Sequence, residues 1–302
     1  ADILRVMKEV SRCGGMCGFH AESNPISDFN KAELVSSGKL DWQYFPEWKP
    51  NACEAEAVHR LLSFADLLDA PVYFYHLSAK ESVELVRQAK AKGIRVQAET
   101  CCHYLAFTKE KNVGADGILF LMSPPLRSES DRQAMWAGLK DGTLSLVSSD
   151  NEAFTREQKE SFLDKDGTGK LIVDFRKPVN GLPGIEERFG LLMNAVKEGQ
   201  LTLNQMVAVG STNPAKTFGC YPQKGCLEVG SDADIIIVDP MKEMPLTARN
   251  LHYGLNYSIY EDFTSPGWPI MTIRRGEILV EGGEFLGKEN SGRFLFRKLE
   301  GK

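Results

Sequence analysis

The stretch PVYFYHLSAKES, residues 71–82, contains the pattern that decides the fold. A β-branched and aromatic run, bounded by proline on one side and a polar cluster on the other, is typical of a short buried strand. The run ends on His76, which would lie at the carboxyl end of that strand. In a parallel α/β barrel this end carries the chemistry. Alternatively, His76 is a core histidine whose ring bonds a loop carbonyl.

Segments on either side of this run predict an alternation of strands and helices. Three more strands are predicted near residues 16–20, 94–99 and 145–150. Helical periodicity occurs between them, at 51–68, 81–92 and 131–140, and in an opening helix that ends near Ser11. This alternation is the signature of a parallel sheet with crossover connections, which predicts an α/β fold.

Two segments are predicted to form long connections. Residues 24–50 are polar, aromatic and proline-rich, and we expect a loop there. Residues 152–179 carry many charges and are expected to form a second loop. Two helices are predicted to follow it, over 184–198 and 202–217.

The pattern changes near residue 221. A turn and a buried strand come first, and a hairpin around Arg275 and Gly276 follows. We therefore predict two domains, a barrel portion over residues 1–220 and a β-rich module with a tail over residues 221–302.

The composition limits the classes of function. The chain has 302 residues, 42% hydrophobic and 25% charged, as expected of an ordinary globular protein. A net charge of −5 argues against binding to nucleic acid or to an anionic membrane surface. No apolar run is long enough to predict a membrane span. The odd number of cysteines, seven, favours a reducing cytoplasm over a disulfide framework.

Three of the four predicted strands end on residues that bind metals, namely His20, His76 and Asp150. The carboxyl ends of parallel strands meet at one face, so these side chains are expected to converge. Imidazole nitrogen and carboxylate oxygen suit Zn²⁺ and similar divalent ions. Each residue also has a structural alternative, because His20 can bond Glu22 and Asp150 can cap the following loop.

Nine stretches of the chain resemble motifs of the cyclic amidohydrolases of the dihydropyrimidinase and hydantoinase group. They run in the family's order over nearly the whole chain. They are GFHAESN (18–24), EAEAVHR (54–60), YHLSAKES (75–82), AETCCHYL (98–105), MSPPLR (122–127), SSDNEAFTREQK (148–159), NGLPGIEER (180–188), STNPAKTFG (211–219) and GSDADIIIVDP (230–240).

The resemblance implies a metal-dependent (β/α)₈ barrel, with a small β-sandwich portion and a centre of two metals, predicted to be Zn²⁺. His20 and His76 would bind one metal, while Asp150 would bind the other and act as the general base. Backbone groups at Ser123 and Asn180 would read the imide edge of a dihydropyrimidine or hydantoin ring. The alternatives are a turn at Ser123 and a tight turn at Asn180.

Two further residues lie in matched motifs without an assigned part in the chemistry. His103 is equally compatible with a structural role and a functional one. Arg127 is expected to hold a loop by pairing with a carboxylate.

The chain also departs from the family pattern. The family's His-x-His pair on the first barrel strand and its bridging, carbamylated lysine on the fourth are both missing. We therefore expect the chain to correspond to the C-terminal half of the barrel, strands five to eight, and to have little or no activity alone. The alternative is a non-catalytic scaffold of the collapsin response mediator type. The resemblance also implies a homo-oligomer.

Overall fold

The computed structural model describes residues 1–298, and its first feature is a parallel sheet of four strands. The strands follow one another in space in the order β1-β2-β3-β4. They are β1 (Cys17–Phe19), β2 (Val72–Phe74), β3 (Val96–Cys101) and β4 (Leu146–Ser148). Every neighbouring pair is parallel, which confirms the predicted α/β organisation. Strands β1, β2 and β4 are shorter than the predicted segments, although backbone bonds from Tyr75 N to Phe19 O and from Leu77 N to Glu99 O continue beyond β2.

Helices occupy the connections between these strands. They are α1 (Asp2–Arg12), α2 (Asn24–Ser36), α3 (Phe45–Trp48), α4 (Asn51–Leu68), α5 (Lys80–Ala91), α6 (Cys102–Ala106), α7 (Glu129–Lys140) and α8 (Arg156–Glu160). Among residues 1–298, none of the helices combines the length and the apolarity needed to cross a bilayer.

The prediction of a loop over residues 24–50 was wrong, because α2 and α3 lie within it. Ser23 is extended at the start of α2, and a proline occupies the first turn, where its missing N–H costs nothing. Two aromatic residues of the segment, Trp42 and Phe45, belong to the core. Phe45 is completely buried, and Trp48 packs on Phe175 with ring centroids 5.4 Å apart. Their packing against a residue far along the chain is a tertiary contact, so the local composition did not reveal it.

The core of this region lies around β2. All three of its residues are buried, as are Val58 and Leu61 on α4 and Val83 and Val86 on α5. A continuous apolar strand is what a parallel sheet covered by helices requires.

The later part of the chain contains three helices and an antiparallel sheet. The helices are α9 (Glu187–Lys197), α10 (Leu203–Val207) and α11 (Asn213–Thr217). A π-helical turn over Ala208–Thr212 interrupts the helix predicted over 202–217. Gly210 and Pro214 are poor formers of a regular helix interior, which accounts for the interruption.

The strands of this part are β5 (Ile235–Asp239), β6 (Met244–Pro245), β7 (Thr264–Ser265), β8 (Trp268–Arg274), β9 (Glu277–Glu281) and β10 (Glu284–Phe285). Four of them form an antiparallel sheet in the order β10-β9-β8-β5. The predicted hairpin joins β8 to β9, with positive φ angles of 50° at Arg275 and 84° at Gly276.

The chain forms two compact units. One consists of residues 1–185 and 252–259, and the other begins at residue 186 and includes residues 186–251 together with the chain from 260 onward. The domain boundary predicted after residue 220, the closure of a barrel and a second layer of a sandwich all remain predictions. The last residues of the predicted module, 299–302, lie outside the described residues.

One carboxylate joins the N-terminal ends of three helices, and its removal is expected to destabilise the chain. Asp131 on α7 accepts hydrogen bonds from Lys80 N at 3.0 Å, Asn51 Nδ2 at 2.7 Å and Ser128 N at 3.2 Å. Its side chain is buried, so Asp131→Ala removes the acceptor of Lys80 N and Ser128 N, while Asn51 Nδ2 retains its bond to Glu81 Oε2 at 2.8 Å. We expect the free energy of unfolding at pH 7 to fall by about 2–3 kcal/mol in urea titrations.

The matched control is Asp28→Ala, since Asp28 is an exposed residue that pairs with Lys31 of its own helix. It is expected to change stability by less than about 0.5 kcal/mol. Burial raises the pKa of Asp131, but the bonds from Ser128, Lys80 and Asn51 outweigh this effect and lower the pKa below its ordinary value. The difference between the native chain and Asp131→Ala should therefore shrink as the pH falls through that pKa. Equal stabilities of the two variants at pH 7 would contradict the prediction.

Candidate metal centre

Polar residues follow the carboxyl ends of the parallel strands. His20 comes directly after β1, His76 lies just beyond β2, and Asp150 just beyond β4. His76 and Asp150 both have left-handed backbones, with φ angles of 37° and 44°. That conformation costs a residue with a side chain roughly 1–3 kcal/mol, and such strain is found at functional sites.

The two histidines are in direct contact. His20 Nδ1 lies 2.9 Å from His76 Nε2, and the rings meet edge to face with centroids 4.7 Å apart. His76 is buried, and burial, together with the neighbouring His20, lowers the pKa of His76 to about 4. It is therefore neutral at physiological pH, the form in which imidazole binds metals.

The other ring nitrogen of His20, Nε2, makes a second contact. His20 Nε2 lies 2.8 Å from Glu22 Oε2, and the same oxygen accepts a 2.6 Å bond from Lys49 Nζ. Burial opposes ionisation of Glu22, but the bonds from His20 and Lys49 outweigh it and lower the pKa of Glu22. The predicted alternative contact of His20 with Glu22 is thus present together with the contact to His76.

A buried ionic network holds the loop that follows His76. Glu54 accepts bonds from Ser78 Oγ at 2.5 Å and from Ala79 N at 3.0 Å. Arg127 Nε donates to Ser78 Oγ at 3.1 Å, and its Nη2 lies 3.8 Å from Glu54 Oε2. This confirms the expectation that Arg127 holds a loop by pairing with a carboxylate.

Asp150 lies at the same edge and, like His20 but unlike His76, is exposed. Burial of its carboxyl raises the pKa of Asp150, and His20 partly offsets the effect. Within residues 1–298, no group of three or more His, Cys, Asp or Glu side chains is arranged to hold a metal ion. The structure brings His20 and His76 together as a pair, and the ligand roles of His20, His76 and Asp150 all remain predictions.

Glu99, at the carboxyl end of the third predicted strand, was not selected from the sequence. It is buried. Its carboxylate accepts a hydrogen bond from Tyr73 Oη and another from His76 N at 3.4 Å. Burial raises the pKa of Glu99 despite these bonds. Its position at a strand end, like those of His20, His76 and Asp150, was the signal that could have identified it.

His103, at the start of α6, is completely buried. Neither ring nitrogen has a hydrogen-bond partner among the described residues. Burial, with a contribution from His76, lowers the pKa of His103 to about 3. The ring is therefore neutral, and the structure leaves both of its predicted roles open.

The predicted substrate-binding residues Ser123 and Asn180 are neighbours. Asn180 Nδ2 lies 3.4 Å from Ser123 Oγ, and the next residue, Gly181, donates its N–H to Leu121 O at 3.0 Å. Gly181 has a φ of 154°, and an added Cβ would lie 2.5 Å from Glu152 O. The loop around Asn180 is therefore closely packed against both neighbouring segments.

A buried lysine secures the same loop. Lys159 Nζ donates to Gly181 O at 2.9 Å and to Val179 O at 3.3 Å, the carbonyls on either side of Asn180. Lys159 is completely buried, and burial lowers its pKa to about 8, with Glu152 acting in the opposite direction.

This pKa predicts an unusual pH dependence of stability. Between about pH 8 and the ordinary lysine value near 10.4, the unfolded chain binds a proton at Lys159 that the folded chain does not. Stability contributed by this group therefore rises with pH in that window. Relative to Lys159→Met, the native chain should gain about 2–3 kcal/mol between pH 7.5 and pH 10, measured by urea unfolding.

Lys165→Met is the control, because Lys165 is an exposed lysine a few positions further along the chain. Its stability difference from the native chain is expected to stay constant over this pH range. A difference between Lys159→Met and the native chain that does not change with pH would contradict the assigned titration.

The histidine pair has the chemistry of a partial metal centre. Both rings are positioned by neighbours, His76 is neutral, and its Nδ1 is buried without a partner among the described residues. His20 Nε2 contacts a carboxylate, and metal-bound histidines make the same kind of contact through their second nitrogen. A catalytic zinc site generally has three protein ligands. The pair therefore fits a divalent cation and requires further ligands to complete its shell.

The fold and the polar residues at this edge of the parallel sheet indicate the class of protein. The model of the Amidohydrolase family matches residues 62–279, and the chain belongs to that family. A D-hydantoinase of Ralstonia pickettii is 36% identical over 298 residues, which cover 98% of this chain and 64% of the relative.

Solved structures agree with this assignment. A D-hydantoinase superposes with a TM-score of 0.91 at 35% identity, covering 98% of this chain and 64% of the other. The dihydropyrimidinase from Brevibacillus agri NCHU1002 has a TM-score of 0.92 at 31% identity and covers 99% and 64%. The parallel sheet is thus that of an amidohydrolase TIM-barrel fold, and the chain spans 64% of the length of these relatives.

Proposed function

We propose that this chain contributes to the centre of a metal-dependent hydrolase that opens cyclic amide rings of the dihydropyrimidine or hydantoin class. The contact of His20 Nδ1 with His76 Nε2, 2.9 Å at the ends of adjacent parallel strands, is the observation that carries the proposal. The relatives are named D-hydantoinase and dihydropyrimidinase, which supports a hydrolase and not the non-catalytic scaffold alternative.

Each residue has a defined part in this proposal. His20 and His76 hold one divalent cation, and Asp150 contributes to a second. When bound, the cations, which we predict to be Zn²⁺, would polarise the ring carbonyl and make water a better nucleophile. Asp150 accepts the proton of the attacking water and returns it to the leaving nitrogen.

Ser123 and Asn180 are proposed to read the imide edge of the ring through backbone groups. The proposal is supported by their contact and by the bonds from Lys159 on both sides of Asn180. A loop fixed in this way presents its backbone donors and acceptors at low entropic cost.

We further infer that the 302 residues alone hydrolyse such rings weakly or not at all. The sequence contains no His-x-His pair. A cation with too few protein ligands is held weakly and activates water poorly. Cation binding and ring binding are therefore better tests of this chain than turnover.

The test measures both kinds of binding. Zn²⁺ is titrated into chelator-free protein by calorimetry, and hydantoin is titrated while amide NMR signals around Ser123 and Asn180 are followed. We expect saturable cation binding and saturable shifts in these two loops. The control ligand, 1,3-dimethylhydantoin, has no imide N–H and should shift them little. Absence of cation binding would overturn the proposed centre, and absence of hydantoin binding would overturn the proposed substrate class.

Self-association and a cytoplasmic location belong to the proposal as well. Phe294 and Phe296 are 81% and 88% exposed with their rings in contact, which supports a role in pairing copies of the chain. Sedimentation velocity on the native chain and on Phe294→Ser/Phe296→Ser tests this, and a monomer in both would contradict it. The cytoplasmic location rests on the odd number of cysteines alone.

A further inference from the structure

The partners of His20 restrict where its proton lies. Glu22 Oε2 is 2.8 Å from His20 Nε2, and the Glu22 side chain is only 4% exposed. Lys49 Nζ contacts the same oxygen at 2.6 Å. A carboxylate paired with lysine is ionised, and an ionised carboxylate only accepts hydrogen bonds. The proton of this contact must therefore lie on Nε2 of His20.

The consequence appears at the other nitrogen of the ring. A neutral imidazole protonated at Nε2 has its lone pair on Nδ1. In this structure Nδ1 of His20 faces Nε2 of His76 at 2.9 Å. At this distance one of the two facing nitrogens carries a proton, so His76 Nε2–H donates to His20 Nδ1 in the chain without metal. Binding of a cation by both nitrogens would require the His76 proton to lie on Nδ1 instead. The opposite tautomer of His20 would place its proton on Nδ1 and turn a lone pair toward the Glu22 carboxylate.

We propose that Glu22 is a positioning residue that holds His20 in the Nε2–H tautomer, so that the lone pair of His20 Nδ1, beside His76 Nε2, is available to a divalent cation. The tautomer is a property of this chain without metal. The role of this tautomer in binding a cation rests on the cation site of the proposed function.

The segment that carries Lys49 is itself anchored. Arg127 Nη1 donates to the carbonyl of Lys49, and Arg127 Nε donates to Ser78 Oγ at 3.1 Å. Ser78 lies in the loop that follows His76. Arg127 thus connects the support of His20 with the loop of His76, and the carboxylate of Glu22 is held between fixed partners.

The tautomer can be measured directly. Long-range ¹H–¹⁵N NMR of histidine-labelled protein at pH 8 distinguishes a protonated from an unprotonated ring nitrogen, and His20→Asn assigns the His20 signals. The native chain is expected to show His20 as the Nε2–H tautomer alone. In Glu22→Gln the side-chain amide can donate as well as accept, so both tautomers should appear. The affinity for Zn²⁺ should fall about 10- to 100-fold.

Glu56→Gln is the matched control, because Glu56 is an exposed glutamate that pairs with Arg60 of its own helix. Should Glu22→Gln fail to fold, Glu22→Asp withdraws the carboxylate by one methylene and is expected to give the same mixture. A proton on Nδ1 of His20 in the native chain, or an unchanged tautomer in the Glu22 variants, would overturn the inference.

The two readouts separate this inference from the proposed function. If the native chain shows the Nε2–H tautomer and Glu22→Gln disturbs it, but no Zn²⁺ binds, then Glu22 orients His20 and the cation site fails. If Zn²⁺ binds and its affinity and the tautomer are the same in Glu22→Gln, the cation site stands and the positioning role fails.

Discussion

Glu54→Ala is expected to lower the free energy of unfolding by about 3–5 kcal/mol, the largest effect on stability predicted for this chain. The Glu54 carboxylate is 1% exposed and lies 3.8 Å from the guanidinium of Arg127. Its removal leaves a buried positive charge without a counter-charge. It also leaves Ser78 N and Ala79 N without their acceptor. Urea unfolding followed by circular dichroism at pH 7 measures the loss.

A second substitution tests the cause. In Glu54→Ala/Arg127→Met the uncompensated charge is gone, so the double variant should be more stable than Glu54→Ala alone. Glu56→Ala on the same helix is the control and should change stability by less than about 0.5 kcal/mol. If the double variant is as unstable as the sum of the two single variants, the two groups do not act as a pair.

His76→Asn is expected to reduce the affinity for Zn²⁺ at least about 100-fold, beyond the usual cost of losing a supporting partner. The substitution removes one of the two ring nitrogens that lie 2.9 Å apart. Asparagine retains a polar side chain of smaller volume, so the strand and the following loop should stay folded. Calorimetric titration of chelator-free protein measures the affinity.

His59→Asn is the control for this measurement, since His59 is an exposed histidine on α4. Its affinity for Zn²⁺ should equal that of the native chain. His20→Asn should weaken binding to a similar extent as His76→Asn. If both variants bind as tightly as the native chain, the cation lies elsewhere and the histidine pair is structural.

These predictions differ in what they depend on. The effect of Glu54→Ala follows from charge and burial alone and is independent of any activity. The effect of His76→Asn depends on the proposed cation site. Suppose that Glu54→Ala is destabilised but His76→Asn binds Zn²⁺ as the native chain does. The fold is then described correctly, and the carboxyl edge of the parallel sheet has a different chemistry.

Local patterns in the sequence predicted the helices and strands that have a regular period. The helix over 51–68 was predicted with the bounds that α4 has, because its apolar residues recur at helical spacing. The segment 24–50 was misread, because Phe45 and Trp48 pack on Phe175, far along the chain. Glu99 was overlooked although it ends the predicted strand 94–99, because its partners Tyr73 and His76 come from a neighbouring segment of the sheet.

The sequence by itself determined the alternation of strands and helices, the hairpin at Arg275, and the placement of His20, His76 and Asp150 after strands. These features depend on neighbours within a few residues, whose preferences are readable locally. Only the tertiary structure decided which ring nitrogens of His20 and His76 face each other. The same holds for the joining of Glu22 to Lys49, 27 positions later. Such contacts depend on how loops pack after the strands are paired, and no local periodicity encodes that packing.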